Sequence, residues 1–249
     1  MPFCRVLIPA CLALACLVSS VRAEDVQQYH DRLLAVAETQ EQNATARMEL
    51  GRLLLDYDIL QDALVRFDEA EALEPMRPGP AAGRCMVLDR LGLARLADEA
   101  CANAVQRRAV DAEDLAWRAR ARMRNENWEA ADEDLTRALD DDPKLRWAWV
   151  ALGNVEASQG RWFEAEEAFL RALAINAGDA YVHALVGGVR LAEGDLAGAL
   201  RSLNTSVRLD PDAAWVRLER SRLLGRLGIF WQAEQEWDAA HRLDPTISD

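Results

Sequence analysis

The sequence predicts an all-α protein built of antiparallel helix hairpins, and three observations carry that expectation. Helix formers such as Ala, Leu, Glu and Arg dominate, only 6% of residues are aromatic, and no stretch shows β-branched alternation. Compared with itself, the chain has a fixed 34-residue period. Six windows, 44–77, 78–111, 112–145, 146–179, 180–213 and 214–247, tile without insertion. Numbered from 1 within each window, position 8 is always small (Gly51, Cys85, Ala119, Gly153, Gly187, Ser221). Position 20 is always alanine (Ala63, Ala97, Ala131, Ala165, Ala199, Ala233), and position 24 is Phe67, Cys101, Leu135, Phe169, Leu203 or Trp237.

The pattern has a packing reason. Two helices approach closely only where side chains are small, and the large residue at position 24 then fills the space beside the contact. A glycine inside a helix costs about 1 kcal/mol relative to alanine. Gly153 is therefore expected to let the first helix of its window lie against the second near Ala165. Gly92, Gly160, Gly194 and Gly228, at position 15, are expected to end the first helix in a left-handed turn. Asp142-Pro143, Asp210-Pro211 and Asp244-Pro245 read as an N-cap acid followed by a first-turn proline that starts the next helix.

Taken in order, residues 1–23 read as a cleaved signal peptide: Arg5, a 13-residue apolar core VLIPACLALACLV, and small or aliphatic Val21 and Ala23 before the cut. The apolar run is short for a bilayer of roughly 30 Å, so no membrane span is expected in the mature chain. The residues before Cys16 do not favour lipoprotein anchoring. Residues 24–43 read as an N-terminal capping helix, with Tyr29, Leu33 and Val36 on the extrapolated grid, residues 44–247 as the six repeats, and 248–249 as a tail. Only Thr246 to Asp249 follow the last full helix, so that helix is expected to lack a polar cap. Its Phe230, Trp231 and Trp237 would then either dock a partner or fold back on the last repeat.

A period of 34 with small residues at 8, 20 and 27, a large apolar one at 24 and proline at 32 (Pro75, Pro143, Pro211, Pro245) resembles the tetratricopeptide repeat family over residues 44–247. The resemblance implies a right-handed superhelical solenoid whose concave groove, lined by the first helix of each hairpin, binds protein or peptide partners. Position 7 departs from the pattern, being Arg84, Arg118 and Arg220 in three windows. The family's clamp for chaperone tails is matched at Asn154 but fails at Val150, Leu185, Trp215 and Glu219.

Charge narrows the partners. The formal net charge of −13 becomes −15 once Arg5 and Arg22 leave with the signal, and Lys144 is the single lysine. Nucleic acid and anionic membrane, which need clustered positive charge, are excluded. No phosphate-binding, metalloprotease, nucleophile-elbow or dinucleotide motif is present, and no catalytic residue, metal site or cofactor is expected. His30, His183 and His241 stand far apart, and Asp140-Asp141-Asp142 reads as a solvated turn. Asn43 and Asn204 begin N-x-[ST] sequons, which matter only in a eukaryotic secretory pathway.

Two candidate features remain. Cys85 and Cys101 fall opposite each other across one hairpin, either bridged in an oxidising compartment or buried as free thiols. Groove positions supply Arg120, Arg124, Arg222 and Arg226 beside Trp117, Trp147, Tyr181, Trp215 and Asn154, the Arg and aromatic chemistry of a recognition surface. The expected function is non-catalytic protein or peptide binding in an exported compartment, periplasmic or secreted. The alternative is a cell-envelope assembly accessory, such as a secretion, pilus or polysaccharide-export scaffold, docking through its C-terminal edge.

Overall fold

A computed structural model describes residues 43–247 together with residues 31, 34 and 35. The signal segment and most of the capping helix, including Tyr29, Leu33 and Val36, lie outside the described residues. Among the described residues the structure holds 12 helices and no strand: α1 Ala44–Asp56, α2 Leu60–Leu73, α3 Pro78–Arg90, α4 Ala94–Gln106, α5 Ala112–Arg124, α6 Trp128–Asp141, α7 Arg146–Ser158, α8 Trp162–Ile175, α9 Ala180–Glu193, α10 Leu196–Leu209, α11 Ala214–Arg226 and α12 Phe230–Leu243. They divide after Val155 into an N-terminal and a C-terminal compact unit. In the N-terminal unit α1 packs on α2, α3 on α4 and α5 on α6, while α1, α3 and α5 also meet in succession. In the C-terminal unit α9 packs on α10 and α11 on α12, with α8 against α9 and α10 against α11.

The small-to-large contact is visible at both glycines that share the position of Gly153. A Cβ on Gly51 would sit 2.9 Å from the Phe67 ring, and one on Gly187 would lie 3.0 Å from Leu203 and 3.4 Å from the Ala199 carbonyl oxygen. Phe67 is enclosed from the next hairpin as well, since a Cβ on Gly83 would come within 2.4 Å of it. Ala63, Ala97, Ala131, Ala165 and Ala199 are fully buried. In the second hairpin the same contact is covalent: Cys85 and Cys101, both buried, form a disulfide with Cα atoms 5.1 Å apart.

All six hairpin turns use a left-handed residue at position 15. Gly92, Gly160, Gly194 and Gly228 supply four of them, and Asp58 (φ 59°) and Glu126 (φ 55°) supply the other two. The helix starts differ from the expectation. Asp142 and Asp210 are C-caps of α6 and α10, and their carboxylates accept from the backbone N–H two residues on, of Lys144 and Asp212. Asp244 does the same with Thr246. Proline follows in the turn, and the next helix begins three residues after Pro143 and Pro211, at Arg146 and Ala214. The N-cap is position 34, where Asp111 and Asp179 accept from Asp114 and Val182. An Asx turn satisfies the aspartate locally, so it has no need of the helix N-terminus.

The arginines at position 7 are ion-paired, two of them within their own hairpin. Arg118 grips Asp134 with two bonds of 2.7 and 2.6 Å, and Arg220 pairs with Glu236; both carboxylates stand at position 23. The second window has Ala100 at position 23, and its Arg84 reaches back to Asp68 at 2.7 Å and Glu71 at 2.6 Å on the preceding hairpin.

Candidate functional site

On α5, Glu113, Trp117, Arg120 and Arg124 are spaced four, three and four residues apart and so share one face. The structure gives these residues different roles. Trp117 is only 2% exposed; its ring meets Phe67 edge-on at 5.6 Å and Trp147 at 5.4 Å. It is a core residue, which corrects the expectation of a partner contact. Gly79 of α3 lies beside the indole, where an added Cβ would be in ordinary contact with it at 3.5 Å.

The Arg120 guanidinium lies 5.0 Å from the Trp117 ring centroid and 5.9 Å from that of the half-buried Trp147. Two rings therefore fix its orientation through cation–π attraction. Arg124 is held by carboxylates of the chain itself, Asp89 at 2.9 Å and Asp98 at 2.6 Å, so its charge is already matched. Asp98 lies on α4, a second helix, outside the first-helix positions that the sequence pattern collects. Asn154 is half-buried on α7.

Toward the start of α5 a hollow is lined by Thr45, Met48, Gly79, Arg77, Glu113 and Trp117, among others. Burial pushes the Glu113 carboxyl above the ordinary glutamate range, nearby Glu49 adds to the rise, and Arg52 opposes it. Arg77 closes one side, bonding Asp114 at 2.8 Å and pairing with Asp111 and Glu74. This brace was missed from sequence, although Arg77 and Asp111 occupy the same position 34 one period apart.

In the C-terminal unit Tyr181 and Trp215, both half-buried, meet at 6.0 Å across α9 and α11. Arg222 pairs with Glu219, and Arg226 is exposed. On α12, Phe230 and Trp231 are 72% and 70% exposed. Trp237 is 39% exposed, whereas Phe67, Cys101, Leu135, Phe169 and Leu203, which share its position, are at most 3% exposed. Phe163, the counterpart of Trp231 on α8, is also exposed. His183 and His241 bond nearby carbonyl oxygens of Ala177 and Trp237. Asn43 caps α1 through Ala46, and Asn204 accepts from Arg220. Among the described residues no group of His, Cys, Asp and Glu is arranged to hold a metal, and no helix is long and apolar enough to cross a membrane.

The tetratricopeptide repeat model matches residues 122–187, within the run of hairpins just described. Solved structures agree with the fold. The APC/C hetero-tetramer Cut9–Hcn1 aligns at TM-score 0.66 and 16% identity over 90% of this chain, which spans 43% of that one. PilF of Pseudomonas aeruginosa aligns at TM-score 0.59 and 20% identity, covering 82% of this chain and 93% of its own. The C-terminal part of a TPR repeat-containing protein from Cytophaga hutchinsonii aligns at 0.51 and 15% identity over 79% and 78%. No curated protein matches. The tetratricopeptide architecture points to a scaffold for protein–protein binding.

Proposed function

We propose that the protein is a non-catalytic scaffold of an exported compartment that binds a protein or peptide segment along the first helices of its hairpins. The observation that carries this reading is the Arg120 guanidinium laid over Trp117 and Trp147. A side chain ordered before binding loses little rotamer freedom when a partner arrives, so its hydrogen bonds contribute more fully to affinity. The signal-like residues 1–23 and the Cys85–Cys101 disulfide support export, since such bonds persist in oxidising compartments. In the C-terminal unit Tyr181, Trp215, Arg222 and Arg226 are the corresponding contacts. The test is capture of partners by the purified chain and by its Arg120→Ala variant. Reduced capture at unchanged helicity and melting temperature is expected, and equal capture would reject the reading.

A second reading is an envelope-assembly accessory that docks through α12. It is favoured by the exposure of Trp237 at a position that the other hairpins bury. Loss of capture in a Phe230→Ala/Trp231→Ala/Trp237→Ala chain, with Arg120→Ala without effect, would select it.

A further inference from the structure

The second helices of two hairpins in the C-terminal unit carry the same trio of residues in different surroundings. At positions 17, 21 and 24, α8 has Trp162, Glu166 and Phe169, and α12 has Phe230, Glu234 and Trp237. Spacings of four and three put each trio on one helix face. Around α8 the trio is engaged: α9 packs against α8, Trp162 is half-buried, Phe169 is buried, and Arg190 of α9 bonds Glu166 at 2.7 Å. The N-terminal unit repeats the tie, with Asp98 at position 21 of α4 bonded by Arg124 of α5 at 2.6 Å. On α12 the trio is open. Phe230 and Trp237 are exposed, and Glu234 is exposed and bonds no cation among the described residues.

We propose that this face of α12 takes an amphipathic helix of another protein, laid on it as α9 lies on α8, with an arginine or lysine on Glu234. The proposal rests on the reading that docks through α12 and states the chemistry of what docks there. Helix α9 supplies the template: Val182 and Val189, seven residues apart and buried, followed at once by Arg190. An apolar stripe of that kind would cover Phe230 and Trp237, and the cation beside it would meet Glu234. The rings give the contact its affinity, because aromatic side chains that lose their water dominate interfaces. The ion pair gives it selectivity. A solvent-screened pair adds little affinity, yet an acidic residue opposite Glu234 is repelled. The net charge of −13 attracts a basic helix and opposes the approach of a second copy of the chain.

The probe is a stapled helical peptide of the α9 sequence, residues 180–193, made unaltered and with Arg190→Ala or Arg190→Glu. Its binding is measured by fluorescence anisotropy to the full chain and to Glu234→Gln, Glu234→Lys and Phe230→Ala/Trp237→Ala variants, with helicity and melting temperature recorded for each. The unaltered peptide should bind the unaltered chain, Arg190→Ala should weaken it about threefold, and Arg190→Glu should weaken it further. Glu234→Gln should remove the preference for arginine, and Glu234→Lys should reverse the order of the arginine and glutamate peptides. Phe230→Ala/Trp237→Ala should weaken every peptide by about tenfold or more. Binding that needs the two rings but ranks the peptides alike on the unaltered and Glu234→Lys chains would overturn the charge pairing and leave docking through α12 intact. No binding, or binding that the loss of both rings leaves unchanged, would overturn both. A dimer of the chain alone in sedimentation, dissolved by Trp237→Ala, would make a second copy the occupant and overturn the proposal.

Discussion

The N-terminal unit closes its second hairpin with a sulfur–sulfur bond, and the C-terminal unit closes its last with a serine hydroxyl. From the same position 8, Cys85 is bonded to Cys101 at position 24 in one, while Ser221 donates to the carbonyl of Ala233 at position 20, at 2.7 Å, in the other. The difference extends further. The N-terminal unit ties successive hairpins together with arginines: Arg77 to Asp111 and Asp114, Arg84 and Arg107 to Glu71. The C-terminal unit has such a tie in Arg190 of α9 to Glu166 of α8, adds within a hairpin Ser206, which donates to the Ala180 carbonyl, and makes every turn with glycine. One 34-residue grid thus accepts several kinds of fastening, provided the residues at positions 8 and 20 stay small. The second hairpin has a specific need for its bond. Its first helix, PGPAAGRCMVLDR, carries Gly79, Gly83, Pro78 and Pro80, so its intrinsic helix propensity is poor.

Breaking that bond should give the largest effect. Cys85→Ala/Cys101→Ala is expected to lower the stability of the N-terminal unit by about 3 kcal/mol in denaturant unfolding, with hydrogen exchange quickening first in α3 and α4. Ser221→Ala should cost about 1 kcal/mol in the C-terminal unit; a loss as large as that of the disulfide would erase the contrast between the two fasteners. The turns sharpen it in the other direction. Asp58→Gly and Glu126→Gly should each add about 0.5–1 kcal/mol by removing a side chain from left-handed backbone, whereas alanine at Gly194 or Gly228 should cost a similar amount, as thermal unfolding of each variant would show.

The smallest effects are electrostatic and opposite in sign. Burial raises Glu71, but its bonds from Arg107 and Arg84 outweigh that and hold its carboxyl below the ordinary glutamate value. Its contribution is therefore present above that value and is lost as pH falls through the depressed folded pKa. Glu113 is raised, so the folded state binds its proton more tightly than the unfolded chain does. Its protonation favours folding as pH falls through the raised pKa, and that gain is absent at neutral pH. Unfolding across pH should show Glu71→Gln less stable and Glu113→Gln slightly more stable than the unaltered chain at pH 7. Both gaps should narrow on acidification.

The hairpins were legible in the sequence because close helix contact leaves an unambiguous mark, an alanine at position 20 in every window. The fastenings were less so. Arg118 and Arg220 look like flaws at an apolar position until position 23 is read with them, where Asp134 and Glu236 supply the partner. Asp-Pro resembles a helix start, yet the Asx turn at Asp142 and Asp210 shifts the true N-cap to position 34. At the candidate site, spacing placed Glu113, Trp117, Arg120 and Arg124 on one face. It did not distinguish the buried indole from the half-buried guanidinium, because Trp117 is enclosed by rings from other hairpins, Phe67 and Trp147. The carboxylates on Arg124 were hidden for a similar reason, coming from Asp89 and from Asp98 on a different helix.

The most direct measurement is hydrogen–deuterium exchange of the full chain with and without a peptide selected on it. Slowed exchange in α1 and α5, absent from the Arg120→Ala chain under the same conditions, is the predicted result. Protection confined to α12, or a footprint that Arg120→Ala leaves unchanged, would contradict the account.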